Sequence, residues 1–402
     1  MINAQDIMEM EMKHEARTYQ KFPVVAAKAS GSTIWDVNGR DYVDLSSGYG
    51  VAILGYNNQK ILNAIMKQFN TVSILHSSIY NETRANFLEK LSSITPRNTT
   101  TFYLGNSGTE AIEASLKAAI KYTGRKHMIS MRNGYHGKTL GSLSLTHSEK
   151  YTRSFKDFIY NGVQFVDYGD ANAIRELPNL DEIAAVFVEP VQGEGGIIFP
   201  GNEYLKELRE ITEEHGILLI VDEIQSGLGR TGKMWAHQWS LIEPDIITIG
   251  KGIGGGIPLG IAAGTEEIMN SLKLGEMSST LGGNPLACAA GIEVLNQLNE
   301  ELLSEVTRKG KYMISRLSQS LSESRIVKEI RGIGMMQAIS LKVKFVPVLM
   351  NMIHNGVIPL YSGISIIRML PPYVISDSEI DLAVDRIILS VNEFENGTGV
   401  TQ

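Results

Sequence analysis

The run ILLIVDEIQSGLGRTGK, residues 217–233, places five apolar residues before an acidic one and then turns abruptly rich in glycine. Ile217–Val221 has the length of a strand, and with no polar alternation both of its faces must be covered. Upstream, Tyr204–His215 has helical spacing, and Ile183–Val188 is a second apolar strand ending in Glu189-Pro190. Downstream, Ile246–Ile249 is a third, ending just before Lys251. Earlier still, Phe102-Tyr103-Leu104 leads into a Ser107-Gly108-Thr109 turn and a helix over Glu110–Tyr122. Apolar strands alternating with helices predict an α/β fold whose mostly parallel sheet is covered on both faces. Ligands of such sheets sit beyond the carboxyl ends of the strands. Asn106-Ser107, Glu189, Asp222 and Lys251 all fall there.

The flanks have a different texture. Residues 31–47 alternate on either side of Asn38-Gly39 and predict a hairpin. Residues 58–69 predict a helix capped by Asn58, with Ile61, Leu62, Ile65, Met66 and Phe69 on one side. Leu286–Leu321 is expected as one long helical stretch, followed by strands over Ile326–Ile330 and Met335–Val343. This suggests an N-terminal segment 1–49 packing with a small α+β domain 281–402, around a large domain 50–280.

Composition narrows the partners. The 402 residues hold 37 Lys+Arg and 44 Asp+Glu, a net charge of −7 that gives no reason to expect nucleic acid or an anionic membrane. No run approaches the roughly 18 apolar residues of a membrane span. The N-terminus mixes charges and lacks the apolar stretch of a secretory signal. Cys288 is the single cysteine, which leaves no internal disulfide and no cysteine metal site and fits a cytoplasmic setting.

Three sites carry chemistry. Gly105-Asn106-Ser107-Gly108-Thr109-Glu110, between strand and helix, offers backbone N–H groups and hydroxyls to an anion. Read without function, Ser107 and Glu110 form a helix cap. Asp222, closing an apolar strand, needs a cation or donor opposite unless it is only a turn residue. Lys251 follows a strand and is ringed by glycines. A dry pocket lowers its pKa and leaves it nucleophilic toward an aldehyde. Anion, protonatable ring nitrogen and aldehyde together describe pyridoxal phosphate, for which a Lys with an Asp partner is the mark.

The chain resembles the class III, fold-type I aminotransferases. It is most similar to the acetylornithine branch, including archaeal enzymes acting on carrier-protected lysine or ornithine precursors. The resemblance rests on LGNSGTEAIEASLK (104–117), YHGKTLGSLS (135–144), VFVEPVQGEGG (186–196), VDEIQSGLGRTGK (221–233), IGKGIGGGIPLG (249–260), STLGGNPLACAAG (279–291) and IRMLPP (367–372), in that order. It implies a seven-stranded large domain and a role for each matching position. Lys251 and Asp222 would be catalytic. Ser107, Gly108 and Thr109 would hold the phosphate, with Thr280 reaching a neighbouring subunit's phosphate in a homodimer or tetramer, and Ser279 lying beside it. Tyr135 and Ile224 would flank the ring, with His136, Glu189 and Gln225 around it. Arg368 would grip the α-carboxylate of glutamate or 2-oxoglutarate. Glu194 would mask Arg368 when the other amine donor enters. Tyr49 would line the entrance.

One departure stands out. Lys138 replaces the family's usual carboxylate-binding Arg, keeping the charge but losing the planar fork. Met277 stands where the branch often has His. The implied reaction moves the ω-amino group of an Nα-protected ornithine or lysine to 2-oxoglutarate, with ping-pong kinetics. The alternatives are 4-aminobutyrate or ornithine δ-transfer and, in another class, an aminomutase or racemase. An acidic amino-group carrier protein is a further candidate partner, although no basic patch for it is evident in the sequence.

Overall fold

The computed structural model describes residues 3–399. Residues 1–2 and 400–402, the outer ends of the two terminal segments, lie outside the described residues. The central sheet has seven strands in the order Thr101–Gly105, Gly260–Gly264, Ile246–Ile249, Leu218–Asp222, Ile183–Val188, His127–Met131 and Val163–Val166. Gly260–Gly264 runs antiparallel to both of its neighbours, while the other pairings are parallel.

Side-chain alternation explains why the inner strands are apolar throughout. Ala185, Phe187, Leu218 and Ile220 point to a core that includes Ile112 and Leu116 of the helix Gly108–Thr123. Val186, Val188, Leu219 and Val221 point to the opposite core with Leu205, Leu208 and Ile211 of the helix Asn202–His215. Successive residues face opposite sides of a strand, so every position of Ile183–Val188 is buried. Burying one such side chain stabilises the fold by about 1.5–3 kcal/mol before entropy is counted.

The chain's two ends meet. The hairpin Thr33–Asp36/Asp41–Asp44 turns at Asn38-Gly39, where Asp36 Oδ1 accepts the N–H groups of Asn38 and Arg40 at 2.9 Å each. Its second strand pairs in parallel with Val357–Ile358 from the C-terminal part. Asn58 caps the helix Gln59–Phe69 as expected. A second four-stranded sheet joins Val327–Ile333, Met336–Leu341, Ile366–Met369 and Leu360–Ser362, and carries Arg368.

The single helical stretch expected over Leu286–Leu321 is two helices, Pro285–Gln297 and Glu300–Ser320. Leu298 leaves helical geometry, and the Asn299 side chain accepts from Leu302 N to start the second helix. A capping Asn inside an otherwise continuous helical pattern was the missed signal. Among the described residues no helix is long and apolar enough to cross a membrane.

Candidate active site

A cavity of about 460 Å³ lies beyond the carboxyl ends of the central strands. The helix Gly108–Thr123 begins at its wall, with Ser107 as N-cap, so free backbone N–H groups face a potential anion. Thr109 Oγ1 is tied to Thr139 Oγ1 at 2.8 Å and Ser142 Oγ at 2.6 Å, which joins this turn to the YHGKTLGS loop. Glycine is required here for close approach: a Cβ on Gly108 would come within 2.8 Å of Ile224 Cδ1.

Asp222 is buried and accepts three hydrogen bonds. Oδ2 takes His136 Nδ1 at 2.7 Å, and Oδ1 takes Ile224 N at 3.0 Å and Thr248 Oγ1 at 3.2 Å. A carboxylate has about four acceptor sites, so room for one more donor remains. Burial alone would lower the His136 pKa, but the hydrogen bond and charge of Asp222 raise it. Glu189 ties two loops together, accepting from Tyr135 N at 2.9 Å and Gly193 N at 3.1 Å. Burial pushes its pKa up to about 7.

Lys251 sits in the strained left-handed region (φ +50°), directly after the strand Ile246–Ile249. Burial lowers its pKa, against the pull of Asp222 and Glu194. Among the described residues its ammonium has neither a hydrogen bond nor an ion pair.

At the mouth, Arg368 is fully buried, and its Nη2 lies 2.5 Å from Glu194 Oε1. Its Nε donates to the Tyr361 carbonyl at 3.2 Å, and among the described residues its Nη1 has no partner. Lys138 is exposed, with Nζ 4.6 Å from the centre of the Tyr151 ring, which itself meets Tyr135 edge-on.

The family description for class III aminotransferases matches residues 14–391. The chain belongs to this family. It is 40% identical over 391 residues to a [LysW]-aminoadipate semialdehyde transaminase of Deinococcus radiodurans, covering 96% of this chain and 90% of that protein. It is 38% identical to an acetylornithine aminotransferase of Methanothermobacter thermautotrophicus, covering 96% and 98% respectively. The ornithine aminotransferase of Toxoplasma gondii superposes with a TM-score of 0.94 at 31% identity, covering 99% of this chain and 97% of that one. Like its family, this aminotransferase is pyridoxal phosphate-dependent.

The residues fit that cofactor. Besides the helix N-terminus and the free acceptor site on Asp222, the cavity presents two buried polar atoms that have no partner among the described residues, Gln225 Oε1 and His136 Nε2. Tyr135 and Ile224 both line the cavity, along with Gly108, Thr109, His136, Lys138, Glu189, Glu194, Gln225 and Lys251.

Five of the sequence-selected residues lie outside that lining, among them Arg368, which meets it through Glu194. Ser107 is occupied as a cap, its Oγ donating to Glu110 Oε2 at 2.9 Å, so its contacts follow the capping alternative. Ser279 Oγ accepts from Asn106 Nδ2 at 2.8 Å. Thr280 is exposed, and Tyr49 is 47% exposed.

Sequence reasoning also missed positions that hold the aminotransferase site together. Arg230 is buried, and its guanidinium reaches the carbonyls of Met335 (3.3 Å) and Pro371 (2.5 Å) and the hydroxyl of Ser47 (3.3 Å). Glu223, next to Asp222, accepts from His237 N at 2.8 Å and Ser226 Oγ at 2.6 Å. Tyr151 gave no signal at all in the sequence; only the fold brings it to Tyr135.

Proposed function

We propose that this aminotransferase moves the ω-amino group of an Nα-protected lysine or ornithine precursor to 2-oxoglutarate, giving a semialdehyde and glutamate. The observation that carries this reading is the Arg368–Glu194 pair at the mouth of the cavity that holds Lys251. An enzyme serving two unlike substrates in one pocket needs a carboxylate receptor that can be covered. With Glu194 on Arg368, the guanidinium does not compete for the donor's own carboxylate. With Glu194 displaced, Arg368 offers a two-nitrogen fork to the α-carboxylate of 2-oxoglutarate. The choice of donor rests on relatives 38–40% identical over most of the chain, whose names include [LysW]-aminoadipate semialdehyde transaminase and acetylornithine aminotransferase.

When bound, pyridoxal phosphate supplies an aldehyde for the amine and a ring that accepts the electron pair left at the substrate carbon. Asp222 keeps a proton on the ring nitrogen, held in line by His136, Thr248 and Ile224 N–H. Lys251, its amine neutral more readily than an exposed lysine's, takes the proton from the substrate carbon and returns it as general base and then acid. Gly108, Thr109 and the helix N-terminus would hold the phosphate. Tyr135 and Ile224 would flank the ring, Gln225 and Glu189 would border it, and Lys138 would meet the donor carboxylate. Thr280, exposed beside Ser279, completes the phosphate site of a second copy in a homodimer.

A donor panel tests this reading. Nα-acetylornithine, Nα-protected lysine, ornithine and 4-aminobutyrate are offered with 2-oxoglutarate, and glutamate is measured. The protected donors are expected to lead in kcat/KM by about tenfold or more, the size of one well-placed charged contact. Equal or better use of 4-aminobutyrate would overturn the donor assignment. Turnover that continues without 2-oxoglutarate would point to an isomerase instead.

A further inference from the structure

The helix Gly108–Thr123 carries an acid one turn beyond the phosphate turn. Glu113 follows Thr109 by four residues, so the two side chains share a helix face. Its Oε1 accepts twice from the YHGKTLGS loop, from Thr139 Oγ1 at 2.5 Å and from Ser142 N at 3.0 Å. Thr139 is the N-cap of the short helix Leu140–Ser144, yet among the described residues its own side chain makes no capping bond. Glu113 supplies that cap from outside, taking the N–H that a capping side chain would take. Among the described residues no lysine, arginine or histidine pairs with Glu113.

The cap from outside leaves three hydroxyls in a triangle. Thr139 Oγ1 lies 2.8 Å from Thr109 Oγ1 and 2.9 Å from Ser142 Oγ, and Ser142 Oγ lies 2.6 Å from Thr109 Oγ1. Each hydroxyl has one proton to donate, and a carboxylate only accepts. Thr139 therefore gives its proton to Glu113 and can only accept within the triangle. Ser142 can donate to Thr109, which leaves the Thr109 proton for an anion in the cavity that Thr109 lines. Two glycines keep the loop this close. A Cβ on Gly137 would fall 2.4 Å from Thr109 Oγ1, and one on Gly141 would fall 2.2 Å from Glu113 Oε2.

We propose that Glu113 is a positioning residue for the cofactor phosphate: by holding Thr139 and Ser142 it fixes the Thr109 hydroxyl and leaves its proton for the phosphate. Glu113 works as a hydrogen-bond acceptor and not as a charge, since an anion near a phosphate is repulsive. This inference rests on the phosphate seat at Gly108 and Thr109 proposed above and adds the residue that sets it.

The test compares pyridoxal phosphate with pyridoxal, which has the same ring and aldehyde without the phosphate. Each is titrated by calorimetry into the full chain stripped of cofactor. Glu113→Ala is expected to weaken pyridoxal phosphate about tenfold and pyridoxal less than about twofold, because a charge-assisted hydrogen bond to the phosphate is lost. Glu113→Gln keeps an acceptor oxygen and should bind pyridoxal phosphate within about threefold of the wild type. Thr139→Val keeps the carboxylate but removes the hydroxyl between it and Thr109, and should repeat the phosphate-specific loss at about 3–10-fold. Equal losses for both vitamers in the Ala and Val variants, or no loss for either, would overturn the proposal. So would a Gln variant as weak as the Ala variant. Thr109→Val separates this outcome from failure of the seat itself. If it leaves the preference for the phosphorylated vitamer unchanged, the seat is misassigned. If it lowers that preference while the Glu113 and Thr139 variants do not, the seat stands and the role of Glu113 falls.

Discussion

Asp222, at the inner end of the cavity, already accepts three hydrogen bonds, and neighbouring Glu189 accepts two backbone N–H groups. Arg368, at the mouth, has one nitrogen on Glu194, one on the Tyr361 carbonyl and, among the described residues, one without a partner, while Lys138 is exposed. The inner groups sit on strand ends buried in the large sheet, and their partners belong to the same framework. The outer groups come from separate loops and from the second sheet, and their partners can be exchanged. Proton transfer is common to both half-reactions and needs fixed geometry. Substrate choice differs between them and needs a partner that can leave.

This contrast predicts the largest loss at the inner end. Lys251→Ala should lower kcat by ~10³–10⁴ with little change in the KM of either substrate, because it removes the proton carrier and leaves the carboxylate sites intact. Separate single-turnover measurements of the two half-reactions check this, and both should fall together. A loss confined to one of them would break the division between shared chemistry and substrate choice.

At the mouth the effects should split by substrate. Arg368→Lys should raise the KM for 2-oxoglutarate by ~10–100-fold, because an ammonium cannot form the two-nitrogen fork and the site is wholly buried. Glu194→Gln should do the reverse to a lesser degree. With its cover gone, Arg368 should favour 2-oxoglutarate and glutamate, and the KM of the ω-amine donor should rise by about tenfold. If both variants shift both substrates alike, the pair is structural and not a switch.

A third perturbation crosses from scaffold to site. The ideal Cβ of Gly260→Ala would fall 1.9 Å from the Ser107 carbonyl oxygen and 3.0 Å from Gly108 N. Gly260 pairs with Gly105 in the antiparallel strand, so the clash is backbone against backbone and cannot be relieved by a rotamer. A stability loss of about 2–4 kcal/mol in urea unfolding is expected, with weaker retention of pyridoxal phosphate because the phosphate turn must move.

How much of this was legible follows the same divide. Ile183–Val188 and Ile246–Ile249 could be read to the residue because burial on both faces leaves an unbroken apolar run. Lys251 and Asp222 were visible because a charge at the end of such a run is anomalous. The antiparallel course of Gly260–Gly264 was not visible, since strand direction leaves no trace in GIAAG. Arg230 stood in a quoted motif, yet its partners Ser47, Met335 and Pro371 are far away in sequence. The Tyr151 ring beside Lys138 depends on packing against Tyr135, which no local pattern encodes. Charges that interrupt an apolar run were readable, and partnerships formed across the chain were not, except where the resemblance implied them, as for Glu194 and Arg368.

The smallest effect tests whether the inner end is already fully answered without its cofactor. Burial raises the Glu189 pKa from about 4.5 to about 7. The folded state therefore keeps the proton over a range where the unfolded chain releases it. Stability contributed by the protonated acid is complete below pH ~4.5, declines up to pH ~7, and is absent above that. His136 acts in the same direction, since its raised pKa also favours the folded state at low pH. Glu189→Gln removes the first contribution and keeps one acceptor for the two N–H groups of Tyr135 and Gly193. Urea unfolding at pH 5 and pH 8 should therefore show a flatter pH dependence in the variant. The difference should be at most about 3 kcal/mol, at ~1.4 kcal/mol per pKa unit. An unchanged slope would mean that Glu189 titrates as an ordinary carboxylate and that the two loops are held by backbone geometry alone.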